Sequence, residues 1–180
     1  MSEHSISIVP RQSNYPNNNT KAREILDWLV SKDIVKPILS NCILGSDNGY
    51  AISDGAKQIT HFPEDVPFDF ATNGLEIVTK RQIFYTGENG IENLICPSCG
   101  QDIAKEDWDF LSEWGDNESN NLTCPLCNVA TDIHQFNFAP EWGFSDLGFI
   151  FWNFPTFTDN FIDEFKKKLD CETSVVNQHI

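Results

Sequence analysis

At 180 residues the chain can bury one substantial core, or one core and a small metal module. Hydrophobic residues make up 40% and aromatics 12%, too many for a disordered chain, and no run of about 18 apolar residues offers a membrane span. The net charge of −15 argues against direct binding of nucleic acid, which relies on Lys and Arg to neutralise phosphates.

In chain order, residues 5–9 alternate polar and apolar side chains, which predicts a strand closed by Pro10. Thr20 is the expected N-cap of a helix running to about Lys32, with Ala22, Ile25, Leu26, Leu29 and Val30 as its core stripe. Residues 33–39 carry a short apolar run broken by Pro37, which predicts an edge strand. Residues 42–44 and 49–52 read as strand fragments around a turn. The glycines between them fail the phosphate-loop pattern, because Lys57 follows Ala56 and precedes Gln58. Asn73-Gly74 and Asn89-Gly90 then predict two hairpins, 68–85 and 82–95, since Asn-Gly is the preferred type I′ pair.

The second hairpin leads into Cys96-Pro97-Ser98-Cys99-Gly100, which is matched further on by Cys124-Pro125-Leu126-Cys127-Asn128. Two C-x-x-C pairs at this separation are the ligand pattern of a four-cysteine zinc ribbon. A two-residue gap lets one tight turn present two thiolates to one metal. The prolines preset φ, and Gly100 and Asn128 tolerate the positive φ that closes each turn. A redox reading of C-P-x-C needs only one pair, at a strand-to-helix junction. Two pairs in mid-chain favour one structural Zn²⁺ held by Cys96, Cys99, Cys124 and Cys127. Four thiolates leave no open position for substrate. Cys42 and Cys171 are left as buried thiols.

Residues 106–114 predict a short helix with Trp108, Leu111 and Trp114 on its apolar side. Residues 133–138 alternate as a strand, and the apolar run 144–154 reads as a central strand. Thr158 caps a second helix to about Leu169, with early acids and Lys166, Lys167 and Lys168 at its end, matching the helix dipole. Residues 173–176 suggest a last strand. The expected fold is α+β: a helix-covered, mostly antiparallel sheet on a ferredoxin-like βαββαβ frame. It comprises residues 1–95 and 139–180, with the zinc ribbon of residues 96–138 inserted.

The C-P-S-C-G and C-P-L-C pairs, the Gly148-Phe149-Ile150-Phe151-Trp152-Asn153-Phe154-Pro155 strand, the C-terminal helix and the 40–50 stretch together resemble a family of uncharacterised bacterial zinc-ribbon proteins. Its members often carry a sugar-transporter ATPase label, which the missing phosphate loop contradicts here. The resemblance implies only the four cysteines as zinc ligands.

No H-E-x-x-H, G-x-S-x-G or zinc-deaminase pattern occurs, and His134 is expected as an ordinary strand histidine rather than a metal ligand. Between Cys96 and Leu147, ten acids (Asp102, Glu106, Asp107, Asp109, Glu113, Asp116, Glu118, Asp132, Glu141 and Asp146) face one base, Lys105. With Trp108, Trp114 and Trp142 expected at the surface, this favours a non-enzymatic protein-binding protein. Its most concrete form is an immunity protein that blocks a basic bacterial toxin. The alternatives are a regulatory zinc-ribbon protein acting through transcription or translation machinery, and an enzyme of unknown reaction. The free-thiol usage and the absence of a signal-like start lead to an expectation of a cytoplasmic protein, off the membrane and without direct nucleic-acid contact.

Overall fold

The computed structural model describes residues 2–116 and 119–180. Glu118, one of the ten acids counted above, lies outside the described residues. In chain order the elements are β1 (His4–Pro10), α1 (Asn18–Ser31), β2 (Val35–Ser40), β3 (Gly49–Ile52), β4 (Leu75–Val78), β5 (Gln82–Phe84) and β6 (Asn93–Ile95). There follow α2 (Ser112–Gly115), β7 (Asn121–Thr123), β8 (Ala130–Asp132), β9 (Asn137–Ala139), β10 (Gly143–Ser145), β11 (Gly148–Trp152), α3 (Asp159–Leu169) and β12 (Thr173–His179).

Six strands form one sheet in the order β12-β1-β11-β4-β3-β2, and each neighbouring pair is antiparallel. Helix α1 carries the chain from β1 to the edge strand β2, and α3 carries it from β11 over β1 to the opposite edge. The class is α+β, as expected, with six strands where a βαββαβ frame has four.

Side-chain alternation explains the layering. Ile6 and Ile8 of β1 and Phe149 and Phe151 of β11 face the helices, where they meet Ile25 and Leu29 of α1 and Phe161 and Phe165 of α3. Val9, Ile150 and Trp152 point to the other face and join Cys42, Ile43, Val78, Phe84 and Val176. Fully burying side chains such as Phe149 and Phe165 contributes about 2–3 kcal/mol each. The Thr158 hydroxyl caps α3 as expected, accepting from the Phe161 N–H at 3.2 Å. Helix α1 starts two residues before Thr20. Asn17 takes the left-handed conformation, and the Asn18 amide donates to the Thr79 and Asp146 carbonyls, tying the helix start to neighbouring chain.

Several local expectations are corrected. Neither Asn-Gly pair builds its hairpin. A type I′ turn needs positive φ at both residues. Asn73 and Gly74 have none, and both of their N–H groups donate to the Cys42 carbonyl, at 3.0 and 2.8 Å. Of the second pair only Gly90 is positive; β5 pairs with β10, and β6 pairs with β9. Residues 42–44 are not a strand, and β3 pairs with β2 instead. The run 144–154 splits at Asp146 and Leu147 into β10 and β11. Asp146 turns away to bind the 13–18 loop, accepting from the Tyr15 N–H and donating its own N–H to the Ser13 carbonyl. Residues 106–114 form a 3₁₀ turn followed by the short α2, and residues 133–138 form a 3₁₀ turn followed by β9.

A second hydrophobic cluster lies around the cysteines. It gathers Leu94, Ile103, Leu111, Trp114, Leu122, Ile133, Phe136, Phe138, Trp142 and Phe144. Its strands are three residues long and pair only in twos. The two clusters meet where β10 passes β1. A Cβ at Gly143 would lie 2.9 Å from the Val9 side chain, so only glycine permits this approach.

Candidate metal centre

The two cysteine pairs sit at the tips of two small hairpins built on one plan. Cys96 donates its N–H to the Gln101 carbonyl and accepts at its own carbonyl from Gly100, at 3.0 and 2.9 Å. Cys124 makes the same two bonds with Val129 and Asn128, at 3.1 and 2.9 Å. The Ser98 N–H points at Cys96 Sγ and the Leu126 N–H at Cys124 Sγ, each at 3.4 Å. Gly100 and Asn128 close the turns with φ of 71° and 61°. At Gly100 an added Cβ would meet no atom within 4 Å, so alanine there would carry only the conformational cost of the left-handed region, about 1 kcal/mol.

The turns bring the four expected ligands together. Their sulfurs all lie within 4.8 Å of one another. Cys96 and Cys127 are 3.8 Å apart, and Cys99 and Cys124 are 3.9 Å apart. Four sulfurs placed tetrahedrally about 2.3 Å from one ion are about 3.8 Å apart, whereas a disulfide needs about 2.05 Å. The grouping therefore fits a metal ion, and the all-sulfur donor set suits a soft tetrahedral cation. Cys96 and Cys124 are fully buried, while Cys99 and Cys127 form the half-buried outer side.

The electrostatics of the bare thiols match such a site. Burial pushes the Cys96 thiol up, but the backbone N–H groups of Cys99 and Ser98, with the neighbouring thiols, bring it down to about 7. For Cys99, the Gln101 N–H favours the thiolate, but burial and the three other cysteines raise it to about 11. One thiolate forms readily, and further negative charge in the cluster needs a cation to offset it.

Two acids outside the cysteine motif set the hairpins. The Asp102 carboxylate accepts from the Ala104 and Leu94 N–H groups, which hold it below its usual range. The Glu113 carboxylate accepts from both the N–H and the hydroxyl of Thr123, at 2.7 and 2.8 Å, one residue before Cys124. In the sequence these residues read only as charge. Glu113 lies 10 residues from Thr123 and Asp102 lies 8 from Leu94, separations that carry no periodic signal.

Arg81 clamps the module against the rest. Its guanidinium lies 3.8 Å over the Trp114 ring and donates to the Trp114 and Ser119 carbonyls and to Asn120. Arg11, at the end of β1, binds Glu141, Ser174 and the His134 carbonyl. His134 lies outside the thiol cluster. Both its ring nitrogens are engaged, one with Asp132 and one with the Phe144 carbonyl. It sits in a 3₁₀ turn rather than a strand.

Of the three tryptophans expected at the surface, only Trp108 is there, 40% exposed. Trp114 is fully buried with its indole N–H on Ser13, and Trp142 is buried beneath Trp108. His61 is exposed in its loop. A depression of about 480 Å³ that His61 does not line is bordered by His4, Glu64, Asp65 and Asp69, and all four are exposed. Among the described residues, no helix is long and apolar enough to cross a membrane. Searches of protein-family models, curated proteins and solved structures found no match to the chain.

Proposed function

We propose that this is a non-enzymatic protein-binding protein whose fold is completed by one structural Zn²⁺, and that its partner is a basic protein. Cys96, Cys99, Cys124 and Cys127 are the ligands, in a ribbon of residues 96–138 inserted in a ferredoxin-like frame expanded to six strands. With four thiolates the ion's shell is closed, which suits a structural role and leaves no position for substrate.

The observation that carries the reading is the outer face of the cysteine module. Glu106, Asp107 and Asp109, neighbours of the exposed Trp108 in the chain, are themselves exposed, and so are Glu88 and Glu92 in the segment that leads into the first cysteine pair. Such a face steers basic partners toward the module and repels phosphate backbones. In its most concrete form the protein is an immunity protein that covers the working surface of a basic bacterial toxin.

The test is native mass spectrometry of the protein purified from its own host without chelator. The expected species carries one zinc and one copy of a basic protein, whose activity returns on dissociation. A zinc-loaded chain that runs alone from its own host, without any basic protein bound, overturns the binding reading.

A further inference from the structure

Two exposed aromatic patches flanked by acids occur on the described surface. One is the 61–70 loop, with Phe62, Phe68 and Phe70 near Glu64, Asp65 and Asp69. Its Phe68 ring already carries the Lys57 ammonium, 5.4 Å from the ring centroid. The other is built on the cysteine module. Trp142 is buried, and it supports two rings that face outward: Tyr85, 49% exposed, and Trp108, 40% exposed. Each has its centroid 6.0 Å from that of Trp142, Tyr85 tilted by 55° and Trp108 edge-on at 84°.

Two of these rings, Trp108 and Trp142, are held in place before any partner arrives. The Trp108 indole N–H donates to the Ala104 carbonyl at 2.9 Å, and the Trp142 indole N–H donates to the Gly90 carbonyl at 3.2 Å. Trp142 stacks in turn on Phe138 and Phe144 of the module core. Rigid Trp and Tyr rings are the side chains that most often anchor interfaces, and their faces attract cations better than Phe does. Asp107 and Asp109 flank Trp108 in the chain, and Glu88 follows Tyr85 in the loop whose Gly90 holds Trp142. Lys105, the one Lys or Arg between Cys96 and Leu147, is exposed in the segment that leads to Trp108.

We infer that the Tyr85–Trp108 pair, seated on Trp142, is the docking surface for a basic segment of the partner protein. An Arg or Lys side chain lies over the two rings, and the flanking carboxylates bind its neighbours. This rests on the proposed protein-binding function and names the surface that performs it. The occupant follows from charge complementarity: aromatic faces and carboxylates both select a cation, and both disfavour an acidic peptide or a nucleic-acid backbone.

The experiment titrates the zinc-loaded full chain with a short polyarginine peptide at low and high ionic strength, with polyglutamate as control. The backbone amide signals and the side-chain indole signals of the five tryptophans are followed by NMR. The expected result is that Trp108 and Trp142 shift while Trp28 and Trp152 stay still. Trp108→Ala and Tyr85→Ala each weaken binding by roughly tenfold, and Trp108→Phe restores part of it. A control change in the other patch, Asp65→Asn with Asp69→Asn, leaves the affinity within about twofold. Binding that is equally strong in Trp108→Ala and Tyr85→Ala, or that moves only signals of the 61–70 loop, overturns this surface and leaves a basic partner standing. No binding by the wild-type chain even at low salt overturns both.

Discussion

The two main hydrophobic clusters of this chain are of similar chemistry but are held by different means. In the six-stranded sheet, β1 pairs with β12 over seven consecutive positions and with β11 over four, and two helices cover one face. That core is closed by packing alone. Around the cysteines the strands are three residues long and pair only in twos, on a scale at which a hairpin is marginal in water. There the chain depends on local devices: left-handed turns at Gly100 and Asn128, carboxylates at Asp102 and Glu113, and four convergent thiols. A small core can be specified by few residues if a metal supplies the closure that area cannot.

The sharpest way to break the comparison is to remove one ligand. Cys124→Ser removes a fully buried member of the four-thiol cluster, and on the proposed reading the bound ion contributes about 10 kcal/mol or more of folding free energy, as structural zinc sites do. We expect the variant to bind no metal by elemental analysis and to lose near-UV signal from Trp114 and Trp142, while far-UV signal from the sheet persists. The converse variant is Phe165→Ala, which opens a cavity beneath Phe149 and Trp28. It should lower urea stability by about 3–5 kcal/mol and leave metal binding by the four thiols unchanged.

Arg81→Ala tests how the regions are joined. It removes donors to the Trp114 and Ser119 carbonyls and the cover over the indole ring. The expected cost is about 2 kcal/mol, seen as faster release of the proposed metal to a chelator. The smallest effect expected is a pH effect. Burial lowers the His134 pKa from 6.5 and the nearby Arg11 charge acts in the same direction; the Phe144 carbonyl and Asp132 oppose them only in part. The folded chain therefore resists a proton that the unfolded chain accepts, so stability is fully present above about 6.5 and declines as pH falls below it. The His134 ring signals should titrate below the free-histidine midpoint, and a midpoint above 6.5 would contradict the burial argument.

The parts legible in the sequence were those whose signals are local. The cysteine spacing that brings four thiols together, the Thr158 cap, the alternation in β1 and the edge position of β2 each need only a few neighbouring residues. The errors arose where distant groups outweighed local preference. Asn73-Gly74 is drawn to the Cys42 carbonyl, and Asp146 breaks an apolar run in order to hold the 13–18 loop. Trp114 looked like a surface aromatic because α2 is too short to show a periodic face, and its cover comes from Arg81 and Ser13, far away in sequence. The acids around the cysteines read as one charge count, yet Asp102 and Glu113 build the turns, whereas Glu106, Asp107 and Asp109 face solvent.

The most direct test is hydrogen exchange on the full chain loaded with the proposed metal and again after treatment with a chelator under reducing conditions. With the metal, amides of β6, β7, β8 and the two cysteine turns should be protected. Without it, protection should fall across residues 93–116 and 119–138 while β1, β11 and β12 keep theirs. Unchanged protection of the cysteine turns after the metal is gone would show that packing alone closes the second core, and would contradict the division drawn here.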